Sequence, residues 1–185
     1  MRVTDHRYAA EMAKFNLAVR MIGHEARTGT IRRCTGFSED RIRKIYGTYF
    51  KNRRGNTVKR RRGKTPRQIA CFVASSQQQS EATLLGCFMV NAGVVLPGLT
   101  DGHPHKTRLD SLQLGERFCD AFEAYLTLHP EPQLCFENAW NLYRALAVEH
   151  ELYFASCASC QGIYVQDRYA LDYRRCPFCE LKSSG

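Results

Sequence analysis

A mainly α-helical fold is expected: a helical body with a helix-turn-helix-like part near its N-terminus and a small four-cysteine module at its C-terminal end. Three observations point to it. Apolar residues recur at steps of three and four through most of the chain. Fifteen Lys and Arg fall within residues 27–67, against only Glu39 and Asp40. Cys157, Cys160, Cys176 and Cys179 form the pattern C-x2-C-x15-C-x2-C. The expected division is a helical domain over 1–150, with the helix-turn-helix-like part at 28–50 and a basic arm at 51–67, followed by the cysteine module over 151–185.

Tyr8 to about Ala26 reads as a long amphipathic helix. Tyr8, Met12, Phe15, Val19 and Ile22 form its apolar set, facing a core or a partner helix. Thr30–Cys34 then reads as a short helix, and Gly36 stands where a left-handed C-terminal cap wants glycine. Ser38 suits the N-cap of the next helix, with Glu39 and Asp40 opposing its dipole. Ile42, Ile45, Tyr46 and Tyr49 give that helix a stripe to bury, leaving Arg41, Arg43, Lys44 and Lys51 outward. This is the layout of a recognition helix. An ordinary helical pair with a solvated basic face would show the same pattern.

Arg53 to Arg67 is too charged and glycine-rich to fold alone and reads as a mobile basic arm or a solvated loop. Gln68–Val95 is helical in character, with a polar break at Ser75–Gln79 and with Leu84, Phe88 and Val95 as core. Pro97–Pro104 reads as a loop, and His103 and His105 as exposed loop histidines. Leu109–His129 gives a third helical region, ended by Pro130 and Pro132. Gln133–Glu151 is the last long helix and is expected to run almost straight into Tyr153 and Cys157. Few strands are expected; Ile163-Tyr164-Val165 is one candidate.

The cysteine spacing reads as a Zn2+ site, because each C-x2-C pair can aim two sulfurs at one ion and the fifteen-residue insert lets the pairs close a tetrahedron. Four thiolates leave no open position, so one structural zinc is expected. Two redox CxxC pairs or unrelated buried thiols are the alternatives. Nine cysteines with no secretory signal suit a reducing cytoplasm and metal rather than disulfides; Cys34, Cys71, Cys87, Cys119 and Cys135 read as small buried hydrophobes.

The most apolar run, Leu84–Leu99, is broken by Asn91, Gly93 and Pro97 and falls short of the roughly 20 residues a membrane span needs, so no membrane partner is expected. The N-terminus carries Asp5, His6 and Glu11 and no apolar h-region, which argues against a secretory signal. The net charge is +9, and residues 27–67 alone account for +13. The rest is slightly acidic, so the excess is confined and points to a polyanion partner.

Double-stranded DNA is the leading candidate for that partner. Arg41, Arg43 and Lys44 would face the major groove. Arg53, Arg54, Lys59, Arg60, Arg61, Arg62 and Lys64 would contact phosphates, and Arg168, Arg174 and Arg175 would add a second contact. A zinc-ribbon RNA-binding or ribosome-associated protein is the alternative. A thiol–disulfide enzyme using Cys176-Pro177-Phe178-Cys179 is a third reading, set against the absence of a βαβ pattern. No Ser/His/Asp set or pair of acids stands out, so a non-enzyme is expected.

Ala139-Trp140-Asn141-Leu142-Tyr143-Arg144, followed by the first C-x2-C and Gly162, resembles the C-terminal half of the family of the bacterial flagellar master-regulator subunit FlhC. Arg41-Ile42-Arg43-Lys44-Ile45-Tyr46 resembles that family's R-[IL]-x-[KR]-[IL]-Y helix, and Gly63-Lys64-Thr65-Pro66 its Gly/Pro linker. The similarity covers most of residues 10–180; the linker here is more basic, and Pro97–His105 is unmatched. The resemblance implies a helical, zinc-bearing transcription activator of flagellum biogenesis. It would act in a hetero-oligomer with an FlhD-like subunit on promoter DNA, with RNA polymerase as a further partner.

Overall fold

A computed structural model describes residues 3–51, 55, 58–61, 68–98, 103–170 and 176–183. It is mainly helical, as the periodicity predicts, with eight α-helices and four short strands among the described residues. The chain divides into two compact units: Met1–Lys64 with Leu109–Cys119, and Thr65–Arg108 with Asp120–Gly185. Residues 151–185, set apart by sequence, thus fall in the same unit as the helices that begin at Ala70 and Phe136. No helix among the described residues is long and apolar enough to cross a membrane.

The first unit contains α1 (Val3–Gly23), α2 (Thr28–Thr35), α3 (Glu39–Tyr46) and a π-helical turn, Gly47–Lys51. Its core is Leu17, Ala18, Met21 and Ile22 of α1 with Ile31 and Cys34 of α2, Phe37, and Ile42 and Ile45 of α3. The N-terminal half of the α1 stripe departs from expectation: Tyr8 is 70% exposed and Met12 39%. The turn between α2 and α3 forms as its residues dictate. Gly36 adopts φ 71°, and its N–H donates to Arg32 O at 2.9 Å. Ser38 Oγ accepts from the Arg41 N–H at 3.3 Å, capping α3.

Helix α6 (Ser111–Leu128) starts on a reciprocal cap: Asp110 accepts from the Gln113 N–H at 2.8 Å, and the Gln113 side chain accepts from the Asp110 N–H at 3.3 Å. Gly115 in its first turns meets α1 and α2 closely. A Cβ there would fall 2.7 Å from Leu17 Cδ2 and 2.8 Å from Cys34 Cβ.

The second unit holds α4 (Ala70–Val73), α5 (Ser76–Asn91), α7 (Phe136–Ala147), α8 (Pro177–Ser183) and two antiparallel hairpins. The hairpins pair β1 (Val95–Leu96) with β2 (His105–Lys106) and β3 (Leu152–Ser156) with β4 (Ile163–Asp167). The expected loop at 97–104 falls between β1 and β2, with 99–102 outside the described residues. The expected straight run from the last helix into Tyr153 does not occur. Helix α7 ends at Ala147, His150 turns the chain with φ 54°, and β3 begins at Leu152.

The helical region does break at the start of the polar stretch, between α4 and α5 at Ala74–Ser75, while Ser76–Gln79 already form the first turn of α5. Ser75 Oγ accepts from the Gln78 N–H at 3.2 Å and starts α5. Gln79 then donates to Val165 O at 2.9 Å, and Thr83 Oγ1 accepts from the Val165 N–H at 3.0 Å. Side chains of α5 thereby satisfy the open edge of β4. Gly86 lets the helix approach, since a Cβ there would lie 3.1 Å from the Phe154 ring. Leu85 and Met89 carry the α5 core; Leu84 and Phe88 are only half-buried. Behind them Glu81 is buried and accepts from Tyr125 Oη and from the Gln133 N–H, the latter at 3.2 Å. Burial and this carboxylate hold the Tyr125 hydroxyl well above its ordinary pKa.

Candidate metal centre and basic surface

The hairpin β3–β4 and the start of α8 deliver the four cysteines to one point. Register Ser156↔Ile163 closes β3 against β4 immediately after Ser156. The chain then folds back: the Cys157 N–H donates to Gly162 O, and the Gln161 N–H to Cys157 O, both at 2.9 Å. Gln161 takes the left-handed φ of 59° this tight turn requires. The next residue is glycine, where a Cβ would sit 3.3 Å from Cys160 Sγ. On the other side Cys176-Pro177-Phe178-Cys179 opens α8, with proline at the first helical position, where its missing N–H costs nothing. Ser76 Oγ donates to Glu180 at 2.5 Å and ties α8 to the start of α5.

All four Sγ atoms lie within 4.8 Å of one another. Cys160 and Cys176 are 3.6 Å apart and Cys157 and Cys179 3.9 Å. A tetrahedron of thiolates at about 2.3 Å from one ion has S–S edges of about 3.8 Å, so the four residues fit a metal. Disulfide sulfurs stand at about 2.05 Å, and none of the nine cysteines is in a disulfide. The sulfurs also accept backbone N–H groups: Ser159 and Cys176 donate to Cys157 Sγ at 3.4 and 3.3 Å, and Cys179 donates to Cys176 Sγ at 3.4 Å.

These donors stabilise negative charge. The Cys160 N–H first, then those of Cys176 and Ser159, bring the Cys157 thiol down to about 6. Cys179 is raised instead, first because hydrogen bonding to the sulfurs of Cys160 and Cys176 favours its protonated form, with burial next. A divalent cation would have to displace that proton. The apolar support is small: Tyr164, Cys157 and Cys176 are buried together, with Ala155 and Cys179 against them.

The basic residues belong to the first unit. Arg41, Arg43 and Lys44 are exposed on α3 while Ile42 and Ile45 are buried. Tyr49, expected in the same buried stripe, lies on the π-helical turn beyond α3, is 39% exposed and packs edge-on against Phe15 at 5.4 Å. The Arg41 guanidinium stacks 3.7 Å over the Phe37 ring and pairs with Glu11 at 2.8 Å. Arg43 pairs with Asp40 at 2.7 Å and Glu39 at 3.5 Å.

The expected mobile arm is tethered where it is described. Tyr46 Oη donates to Val58 O at 3.2 Å, the Lys59 N–H donates to Glu25 at 3.1 Å, and Arg61 Nε pairs with Glu25 at 2.9 Å. Lys59, Arg60 and Arg61 remain exposed. Arg53, Arg54, Arg62 and Lys64 lie outside the described residues, as do Arg174 and Arg175; Arg168 is exposed on the turn after β4. Sequence reasoning missed Glu25 and Glu11 as anchors. The signal was there, since Glu11 and Glu25 are the last acids before the basic block.

No family model matches the chain. No curated protein matches it either.

Proposed function

We propose that this chain is a DNA-binding transcriptional activator subunit with one structural zinc, similar to the FlhC family and acting in a hetero-oligomer on promoter DNA. One observation carries the reading: a three-residue turn, Gly36–Ser38, sets α3 so that Arg41, Arg43 and Lys44 are all exposed above a buried Ile42 and Ile45. That is how a recognition helix is held. The ion pairs these arginines make are solvent-exposed and worth about 0–1 kcal/mol each, so phosphates or base edges can displace Glu11, Glu39 and Asp40. Lys59, Arg60 and Arg61 add phosphate contacts.

Zinc is the metal of choice for four thiolates at these spacings in a reducing cytoplasm, and a closed shell gives it a folding role. Exposed Tyr8 and Met12 on α1 offer apolar surface for an FlhD-like subunit. The flagellar setting, and RNA polymerase as a further partner, rest on the Trp140 and Arg41–Tyr46 motifs.

RNA binding keeps one observation in its favour. Tyr49 is exposed close to the basic helix, and Tyr46 and Phe50 stack at 6.1 Å beside it, which is aromatic surface for unpaired bases. Competition between duplex DNA and single-stranded RNA of matched length separates the two. Stronger competition by the duplex is expected; stronger competition by the RNA overturns the DNA reading.

A further inference from the structure

Helix α2, which precedes the turn at Gly36–Ser38, presents a basic face of its own. Thr30, Ile31, Cys34 and Thr35 are buried, which leaves Gly29, Arg32, Arg33 and Gly36 on the exposed side at steps of three and four. The two glycines add nothing to this face, and a Cβ on either would meet no atom within 4 Å. Arg32 and Arg33 are therefore the only exposed side chains of α2. No acid lies on the helix, and none stands between Glu25 and Glu39 in the chain.

This face runs on into that of α3. Glu39, in the first turn of α3, lies 4.0 Å from the Arg32 guanidinium and 3.5 Å from that of Arg43. Arg32 and Arg43 thus reach one carboxylate from opposite sides of the turn. Both pairs are exposed, so an incoming anion can displace Glu39 at little cost. Arg33 has no ion pair with any described residue and has none to break before it meets an anion.

We infer that Arg32 and Arg33 form a second row of contacts, to the phosphates of duplex DNA, beside the row of Arg41, Arg43 and Lys44. The inference rests on the DNA-binding reading of α3 and adds a surface to it. In a helix-turn-helix the helix before the turn crosses the phosphate backbone while the helix after it enters the groove. Arginine suits the first task, because its planar fork grips two phosphate oxygens at once. Contacts of this kind supply affinity without sequence preference.

The test uses the zinc-loaded full chain in fluorescence-anisotropy titrations at several salt concentrations. Two duplexes are compared: one enriched from a random pool by the wild-type chain, and one of random sequence. The double variant Arg32→Ala, Arg33→Ala should flatten the slope of log affinity against log salt by about 1.8, at roughly 0.9 for each lost phosphate contact. Affinity should fall by the same factor on both duplexes, so that the preference between them is kept. Arg32→Lys with Arg33→Lys should restore most of the slope, because charge rather than shape sets it. If the alanine pair melts early, Arg33→Ala alone decides, with half the effect on the slope. An unchanged slope in these alanine variants, beside a slope flattened by Arg41→Ala, Arg43→Ala, Lys44→Ala, overturns the α2 row and leaves α3 standing. A wild-type chain that binds neither duplex overturns both.

Discussion

The two compact units hold their business ends by different means. In the first, α3 is fixed by ordinary packing: Ile42 and Ile45 are buried in the same unit as the buried Ile31 and Met21, and caps at Gly36 and Ser38 set its start. The charged surface of α3 can then exchange partners, because the ion pairs of Arg41 and Arg43 are exposed. In the second, the end of the chain has little to bury. Tyr164 and the sulfurs of Cys157 and Cys176 are most of what lies beneath the cysteine turns. What sets the two ends apart is how each is held: by burial beneath α3, and by four convergent thiols that fit a cation at the end of the chain.

The sharpest way to break this comparison is to remove the metal. Cys157→Ser should abolish metal binding and unfold the β4–α8 end, since thiolate–zinc binding worth about 10–16 kcal/mol in small zinc modules is also folding energy. Proteolysis should cut near residues 157–179 in C157S, while the α2–α3 segment stays protected. Equal protection at both ends would show that the cysteine end folds without its ion.

Next in size is steric. Gly115→Ala places a methyl group 2.8 Å from Cys34 Cβ, an atom that cannot swing away, and should cost about 1–3 kcal/mol by urea denaturation. Gly86→Ala meets the Phe154 ring at 3.1 Å and should cost less, because ring and hairpin can shift by a few tenths of an ångström. A reversed order would misplace the tight contact.

Acid should then act on one unit first. The Cys157 thiol, already depressed to about 6 by backbone donors, ionises before those of Cys176 and Cys179, which are raised and must lose their protons to the metal. Protons compete with the ion, so metal affinity should fall as pH falls from neutrality and recover as it rises. A flat affinity across that range would argue against thiolate ligation.

The smallest effect sharpens the basic side. Glu25→Gln removes the charge, and one of the two acceptor oxygens, that hold Arg61 and the Lys59 N–H. With a surface pair worth up to about 1 kcal/mol, duplex affinity should rise by no more than about fivefold. A loss of affinity would mean that Glu25 presents the arm rather than restrains it.

Much of this was legible in the chain. The cysteine spacing carries its own geometry, and Gly36 and Ser38 mark the turn they make, because caps depend on single residues and their immediate neighbours. What was not legible depends on distant partners. The break read at Ser75–Gln79 is confined to Ala74–Ser75, since nothing local says that Gln79 will serve the edge of β4 from 86 residues away. Tyr49 read as buried because helical spacing was carried through Gly47, where the backbone widens into a π-turn. The bend at His150 was hidden for a similar reason: only packing around a left-handed residue ends α7 there.

The most direct test of α3 as the gripping surface is a fluorescence-anisotropy titration of the zinc-loaded chain against duplex DNA at several salt concentrations. The triple variant Arg41→Ala, Arg43→Ala, Lys44→Ala is run beside it. Each lost phosphate contact should reduce the slope of log affinity against log salt by roughly 0.9, and lost base contacts should cost sequence preference by about 1–3 kcal/mol each. A flatter slope and lost preference are the expected result. An unchanged slope with unchanged preference would contradict the assignment of α3.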